Sequence, residues 1–166
     1  MAMFVHLAPE KDIASIKRTG IKPCRSTDEY PGGVFAMPVT PEFYISHQWL
    51  RELKRCGQRT ISGVYFRIPD DELVLVGHYN QRHIEVTADS AIDIIMHAEN
   101  SEGYQVYIPR KIEKNEIHRV KSLPQVVGWR YQPDSHKKWY CGCLVCVPIG
   151  SIKGKRKRDE WGLSQS

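Results

Sequence analysis

The chain lacks any long hydrophobic run. None of its apolar stretches approaches the ~20 residues needed to span a bilayer, and the opening residues show no basic stretch followed by a long apolar segment. We therefore expect no membrane partner and no secretory signal. The chain has few cysteines. There are five, an odd number, and three of them fall within six residues. This usage does not fit the disulfide framework of a secreted domain, and it favours a cytoplasmic protein.

Internal repeats and low-complexity segments are also missing, which excludes solenoids and long linkers. The 166 residues are 41% hydrophobic and 26% charged, a balance typical of a globular chain. Lys and Arg outnumber Asp and Glu by 24 to 19, a net charge of +5, which favours polyanionic partners. Five cations fall within residues 153–158, and this run is either a solvated end or a tail that contacts phosphates.

Hydrophobic periodicity predicts an α+β domain at residues 1–122. A short strand at 4–7 precedes a helix that begins after Pro9 and ends at Gly20, and a strand at 34–37 follows. One longer helix is predicted from Thr40 to Gly57. The remaining pattern predicts strands at 61–68, 73–77, 83–87, 104–108 and 116–120, with a short helix at 89–96.

Residues 123–166 form a second predicted unit, a small module rich in cysteine and aromatic residues. Cys141, Cys143, Cys146 and His136 place four potential zinc ligands within eleven residues. A closed set of four protein ligands would make such a zinc structural. The alternatives are inert thiols in a buried strand and a redox or catalytic cysteine, and another cysteine or histidine could supply the fourth ligand.

Two segments of the first domain resemble the ADP-ribosyltransferase superfamily, which includes poly-ADP-ribose polymerases, nucleic-acid-modifying bacterial toxins and RNA 2′-phosphotransferases. The first runs from His6, at the end of a strand, through a helix closing on Gly20-Ile21 to Gly33-Val34-Phe35-Ala36. The second is Glu102-Gly103-Tyr104-Gln105-Val106-Tyr107, which is similar to the Glu-Tyr-x-Val-Tyr segment of polymerase-type members. The resemblance covers about residues 4–120.

This resemblance implies a split β-sheet core and NAD as the cofactor. His6 would contact the carboxamide or ribose, with Gly33, Phe35 and Tyr44 as further NAD contacts. Gly103 stands where the catalytic glutamate of the polymerase-type members would be, so Glu102, one residue earlier, is the candidate carboxylate. A carboxylate there would stabilise the cationic transition state.

The implied activity is transfer of ADP-ribose to a macromolecule, with nucleic acid favoured by the basic charge and a protein target or neutralising partner also conceivable. The 2′-phosphotransferases use arginines and histidines instead of a glutamate, and Arg67, Arg82 and His83 are available for such a role. The alternative is a non-enzymatic, zinc-bearing module that binds nucleic acid or protein on a degenerate version of the fold. A metal-dependent nuclease is disfavoured because no His-x-His or His-Glu-x-x-His pair occurs.

Overall fold

A computed structural model describes residues 1–26, 30–55, 57–128, 152, 156 and 159. Its seven strands are β1 (Ala2–Pro9), β2 (Val34–Pro38), β3 (Ile61–Ile68), β4 (Leu73–His78), β5 (Ile84–Thr87), β6 (Tyr104–Ile108) and β7 (Ile117–Ser122). Its four α-helices are α1 (Ile13–Thr19), α2 (Phe43–His47), α3 (Leu50–Arg55) and α4 (Ala88–Met96). The expected α+β class is confirmed, and each predicted strand is present within a few residues of its expected bounds.

The strands form one antiparallel sheet in the order β5-β4-β6-β2-β1-β3-β7. β1 pairs with β3 along its whole length, but it pairs with β2 only at Phe4–Pro38 and Val5–Met37. Beyond Val5 the two strands separate. The sheet is therefore two half-sheets, β5-β4-β6-β2 and β1-β3-β7, joined at a short seam formed by these two residue pairs.

The two faces of the first half-sheet differ in burial. Helix α4 packs against β4, and its buried Ala88, Ala91 and Ile95 belong to the same core as the covered face of the strands. The covered face consists of Val34, Ala36, Val74, Val76, Val106 and Ile108, all of them buried. Because side chains alternate along a strand, the opposite face carries Phe35, Leu75, Gln105 and Tyr107. That uncovered face holds the candidate site.

The prediction of one continuous helix from Thr40 to Gly57 is wrong, because the structure has two short helices that separate at Gln48 and Trp49. The side chain of Gln48 is 0% exposed, and its shortest hydrogen bonds are to the loop before β6, beside a longer one of 3.4 Å from its Nε2 to the Ile45 carbonyl. Its Nε2 donates to the Ser101 carbonyl at 2.9 Å, and its Oε1 accepts from the Gly103 N–H at 2.7 Å. These tertiary hydrogen bonds favour the break over a regular helix, since a buried amide must keep its partners.

No helix in the described part of the chain is long and apolar enough to cross a bilayer.

Candidate functional site

His6 lies at the point where β1 and β2 separate, next to the seam. Its Nδ1 is 2.7 Å from the Phe35 carbonyl oxygen, so the side chain links β1 to β2 next to the last backbone pair, Val5–Met37. A carbonyl oxygen only accepts, so Nδ1 carries the proton and Nε2 of the neutral ring is a bare acceptor. Desolvation by burial lowers the pKa of His6, against the opposing effect of the Phe35 hydrogen bond. The ring is therefore neutral at pH 7.

A small cavity of about 260 Å³ opens beside His6. Its described lining residues are Val5, His6, Leu7, Phe35, Ala36, Met37, Trp49, Leu53 and Gln105. The indole of Trp49 is held in place because its Nε1 donates to the Tyr104 carbonyl at 2.8 Å. Apart from His6 and Gln105, the walls are apolar or aromatic. Such a cavity suits a flat ring with one or two hydrogen-bond donors.

A second, larger cavity of about 860 Å³ lies on the uncovered face of β2, β6 and β4. Its described lining residues are Tyr30, Phe35, Leu75, Tyr79, Asn80, Gln81, Arg82, His83, Gln105 and Tyr107. Aromatic rings and amides predominate, and the described lining contains no carboxylate. Phe35 and Gln105 line both cavities, so the two are neighbours that share a wall.

Gln105 is held by His83. Its Nε2 is 3.2 Å from His83 Nε2, and His83 Nδ1 is 2.8 Å from the Tyr30 hydroxyl. An amide NH₂ only donates, so His83 Nε2 accepts and its protonated Nδ1 donates to Tyr30. Gly77, opposite Gln105 in the sheet, leaves room for this approach, because a Cβ there would lie 3.1 Å from the Cα of His83. Among the residues that the structure describes, none donates a hydrogen bond to the amide oxygen of Gln105, which is available to a ligand.

Gly33 and Phe35 differ in what surrounds them. Phe35 is 43% exposed and packs against the Tyr107 ring at 4.7 Å between centroids. Gly33 is buried beneath the same ring, and a Cβ there would lie 2.3 Å from the Ile108 carbonyl oxygen and 2.7 Å from Tyr107 Cζ. Gly33 therefore lets β2 approach β6, and it is not among the described lining residues of either cavity.

Glu102 and Tyr44 form a pair on the protein surface. The Tyr44 hydroxyl donates to Glu102 Oε1 at 2.7 Å. Burial, followed by the hydrogen bond and charge of Glu102, raises the pKa of Tyr44 to about 12, so the phenol remains a donor at neutral pH. Neither residue is among the described lining residues of the two cavities. The pair holds the carboxylate in the loop that leads into β6.

Gly103 occupies a position that a side chain would not fit. Its φ is +82°, in the left-handed region that favours glycine, and a Cβ there would lie 2.4 Å from His78 Nε2. His78 is held in turn by Asn80, whose Oδ1 is 2.5 Å from its Nδ1. The imidazole of His78 thus fills the space into which a glutamate at position 103 would project.

The structure brings together some of the sequence-predicted residues. His6 and Phe35 line the small cavity, Arg82 and His83 line the larger one, and Arg67 lies exposed on β3. Sequence reasoning missed the roles of Gln105, Trp49 and Tyr30. The alternation Gln105–Tyr107 on one face of a strand was a signal for the first of these.

The described residues contain no group of three or more His, Cys, Asp or Glu side chains placed to hold a metal ion. The predicted ligands Cys141, Cys143, Cys146 and His136 lie outside the described residues. Zinc therefore stays a prediction, and metal analysis of the whole chain purified without added zinc tests it. We expect one zinc per chain, and freely titratable thiols without stoichiometric metal would contradict this.

Comparison with known proteins identifies no relative. No protein-family model, no curated protein and no solved structure matches the chain.

Proposed function

We propose that this protein is an NAD-dependent ADP-ribosyltransferase-like enzyme that modifies a macromolecule, with nucleic acid as the favoured target. The observation that carries the proposal is the apolar cavity beside His6, at the place where the sheet splits. The choice of this enzyme family comes from the sequence resemblance. The position of His6 and Phe35 on the wall of one cavity supports that choice. The split of the antiparallel sheet agrees with the core that the resemblance implies.

The polarity of the small cavity suits the nicotinamide end of NAD. Apolar walls such as Trp49 and Leu53 would exclude water from a flat ring, and His6 Nε2 would accept a hydrogen bond from a carboxamide or ribose donor. The amide oxygen of Gln105 offers a second acceptor on the same wall. When bound, NAD supplies the glycosidic bond whose cleavage yields nicotinamide and an ADP-ribosyl cation.

The role proposed for Glu102 is to stabilise positive charge as that bond breaks. A carboxylate acts on a developing cation most strongly when its own position is fixed beforehand. Tyr44 provides this fixation through its 2.7 Å hydrogen bond. The loop that carries Glu102 leads directly into β6, which carries Gln105 on the wall of both cavities.

The direct test is to titrate the purified full chain with NAD by calorimetry and to measure released nicotinamide by chromatography. We expect saturable binding and nicotinamide release that increases when single-stranded nucleic acid is added. Binding of NAD without release of nicotinamide would indicate an inactive, degenerate member of the fold. Absence of both binding and release would contradict the proposal.

Glu102→Gln should retain NAD binding and lose turnover. The carboxylate acts on the transition state in this proposal, so its neutralisation lowers kcat by about 10²–10³-fold with little change in NAD affinity. The matched control is Glu99→Gln, which removes a carboxylate from the same connection between α4 and β6. Single-turnover nicotinamide release and calorimetry separate the two effects. Equal loss in both variants, or unchanged turnover in Glu102→Gln, would remove Glu102 from the mechanism.

A second candidate function is the non-enzymatic binding module. The observation that favours it is the position of the carboxylate: Glu102 is paired with Tyr44 and lies outside the described lining of both cavities, while position 103 is closed by His78. A module of this kind would bind nucleic acid or protein and leave NAD intact. Nicotinamide release therefore separates the two functions.

A further inference from the structure

We propose that the larger cavity binds one unpaired base, with its phosphate, from a single-stranded nucleic acid. One part of the inference rests on the proposed function, namely that this base accepts ADP-ribose. Binding itself follows from the cavity and is measurable without NAD.

The lining has the composition of a base-binding site. Phe35 presents a ring that is 43% exposed, and Tyr79 lies on the β4–β5 connection that borders the same space. Rings such as these stack on any base. The amides of Asn80, Gln81 and Gln105 offer both donors and acceptors, which match the hydrogen-bonding edge of an unpaired base.

The charge of the lining favours a phosphate-bearing ligand over a peptide with basic side chains. Arg82 is exposed at the edge of the cavity, where a guanidinium would reach a phosphate of the strand. The described lining contains no carboxylate that would bind a lysine or arginine of a protein target. The net charge of the chain, +5, is positive like Arg82 and also favours a phosphate-bearing ligand.

The cavity also has the position that an acceptor requires. It shares Phe35 and Gln105 with the small cavity, so a base within it would lie beside a ring bound next to His6. Its volume of about 860 Å³ lies within the range of sites for whole small ligands. A base within a Watson–Crick pair is not accessible to such a pocket, and an unpaired one is.

The test uses the full chain and a fluorescein-labelled single-stranded oligonucleotide of mixed sequence. It is compared with a duplex of the same sequence and with an abasic strand that has the same phosphates but no bases. Anisotropy is measured in about 0.3 M salt, so that contacts with phosphates alone are weakened. We expect the single strand to bind about tenfold or more tightly than the abasic strand, as stacking of one base predicts.

Leu75→Trp fills the cavity, and Leu73→Trp is its matched control. Leu73 lies on the same strand two residues earlier, is 54% exposed and is not among the described lining residues. We expect Leu75→Trp to abolish the preference for bases and Leu73→Trp to retain it. Gln81→Ala, at an exposed lining position, provides a second variant that does not alter the core, and it should reduce the same preference.

Three results would overturn the inference. Equal binding of the abasic and normal strands would show that only phosphates are contacted. An unchanged preference in both Leu75→Trp and Gln81→Ala would place the base elsewhere. Displacement of the oligonucleotide by saturating NAD would show that the cavity holds the nucleotide half of NAD instead. Base-dependent binding by a protein that neither binds nor cleaves NAD would uphold this inference and contradict the proposed function.

Discussion

His6→Ala is expected to abolish detectable NAD binding and nicotinamide release. The substitution removes Nε2, the acceptor in an otherwise apolar part of the cavity, and also the Nδ1–H that satisfies the Phe35 carbonyl at 2.7 Å. Loss of this exposed hydrogen bond should in addition lower the free energy of unfolding by about 0.5–1.5 kcal/mol. Calorimetry with NAD and thermal denaturation measure the two effects.

His6→Asn separates the two roles of the imidazole. The Asn amide nitrogen can still donate to the Phe35 carbonyl, but the side chain has no counterpart of Nε2 further into the cavity. We expect stability close to that of the unsubstituted protein, together with loss of NAD binding. Strong NAD binding by a well-folded His6→Asn protein would contradict the assignment of His6 as a ligand contact.

The pH dependence gives an independent check on His6. Burial lowers its pKa below the ordinary value of 6.5, so Nε2 keeps its lone pair from pH 8 down through pH 6.5. NAD affinity should therefore be constant over that range and fall only at lower pH. Because the unfolded state takes up this proton first, stability should also decrease as the pH falls from 6.5 towards the lowered pKa. An affinity that falls between pH 8 and 7 would be inconsistent with a neutral, half-buried His6.

Gly103→Glu is expected to destabilise the protein without raising its activity. A side chain must adopt φ near +82° and place its Cβ 2.4 Å from His78 Nε2, so His78 has to leave its position. We expect the free energy of unfolding to fall by about 2–4 kcal/mol, from backbone strain and the displaced ring together. Chemical denaturation and nicotinamide release are the measurements.

Gly103→Ala is the matched control, because it has the same φ and the same Cβ contact without a carboxylate. Both variants should be destabilised to a similar extent. The double variant Gly103→Glu with His78→Ala removes the obstructing ring and tests whether a carboxylate at this position can act. A fully stable Gly103→Glu protein with increased nicotinamide release would contradict the conclusion that the position is closed.

The strands could be predicted from the sequence because their residues express local preferences. Residues 61–68 and 104–108 are β-branched and aromatic and end at proline, and both are strands with the expected bounds. The break between α2 and α3 could not be predicted, since it depends on hydrogen bonds from Gln48 to a loop more than fifty residues away. Local propensity carries no information about such partners.

The candidate site was predictable only in part, for a similar reason. His6 and Phe35 stood out through their order in the resembling segment, and they do line one cavity. The predicted place of His6 at the end of a strand is wrong, because β1 continues to Pro9 through its pairing with β3. Gln105 was overlooked because the alternation along β6 shows only that it shares a face with Tyr107, and not what that face contacts. Its importance comes from the strand order β4-β6-β2, which places it between Gly77 and the split in the sheet. That order is a property of long-range pairing.

The short seam between β1 and β2 also bears on how the chain folds. β1 completes its ladder only with β3, and β2 only with β6, whose Ile108 pairs with Val34. Each half-sheet must therefore close a long loop before its first strand gains a full set of partners, and this entropic cost slows folding. Only two residue pairs join the halves within the sheet, but one hydrophobic core runs through both of them. The cleft beside His6 is therefore complete only when both halves are packed on that core.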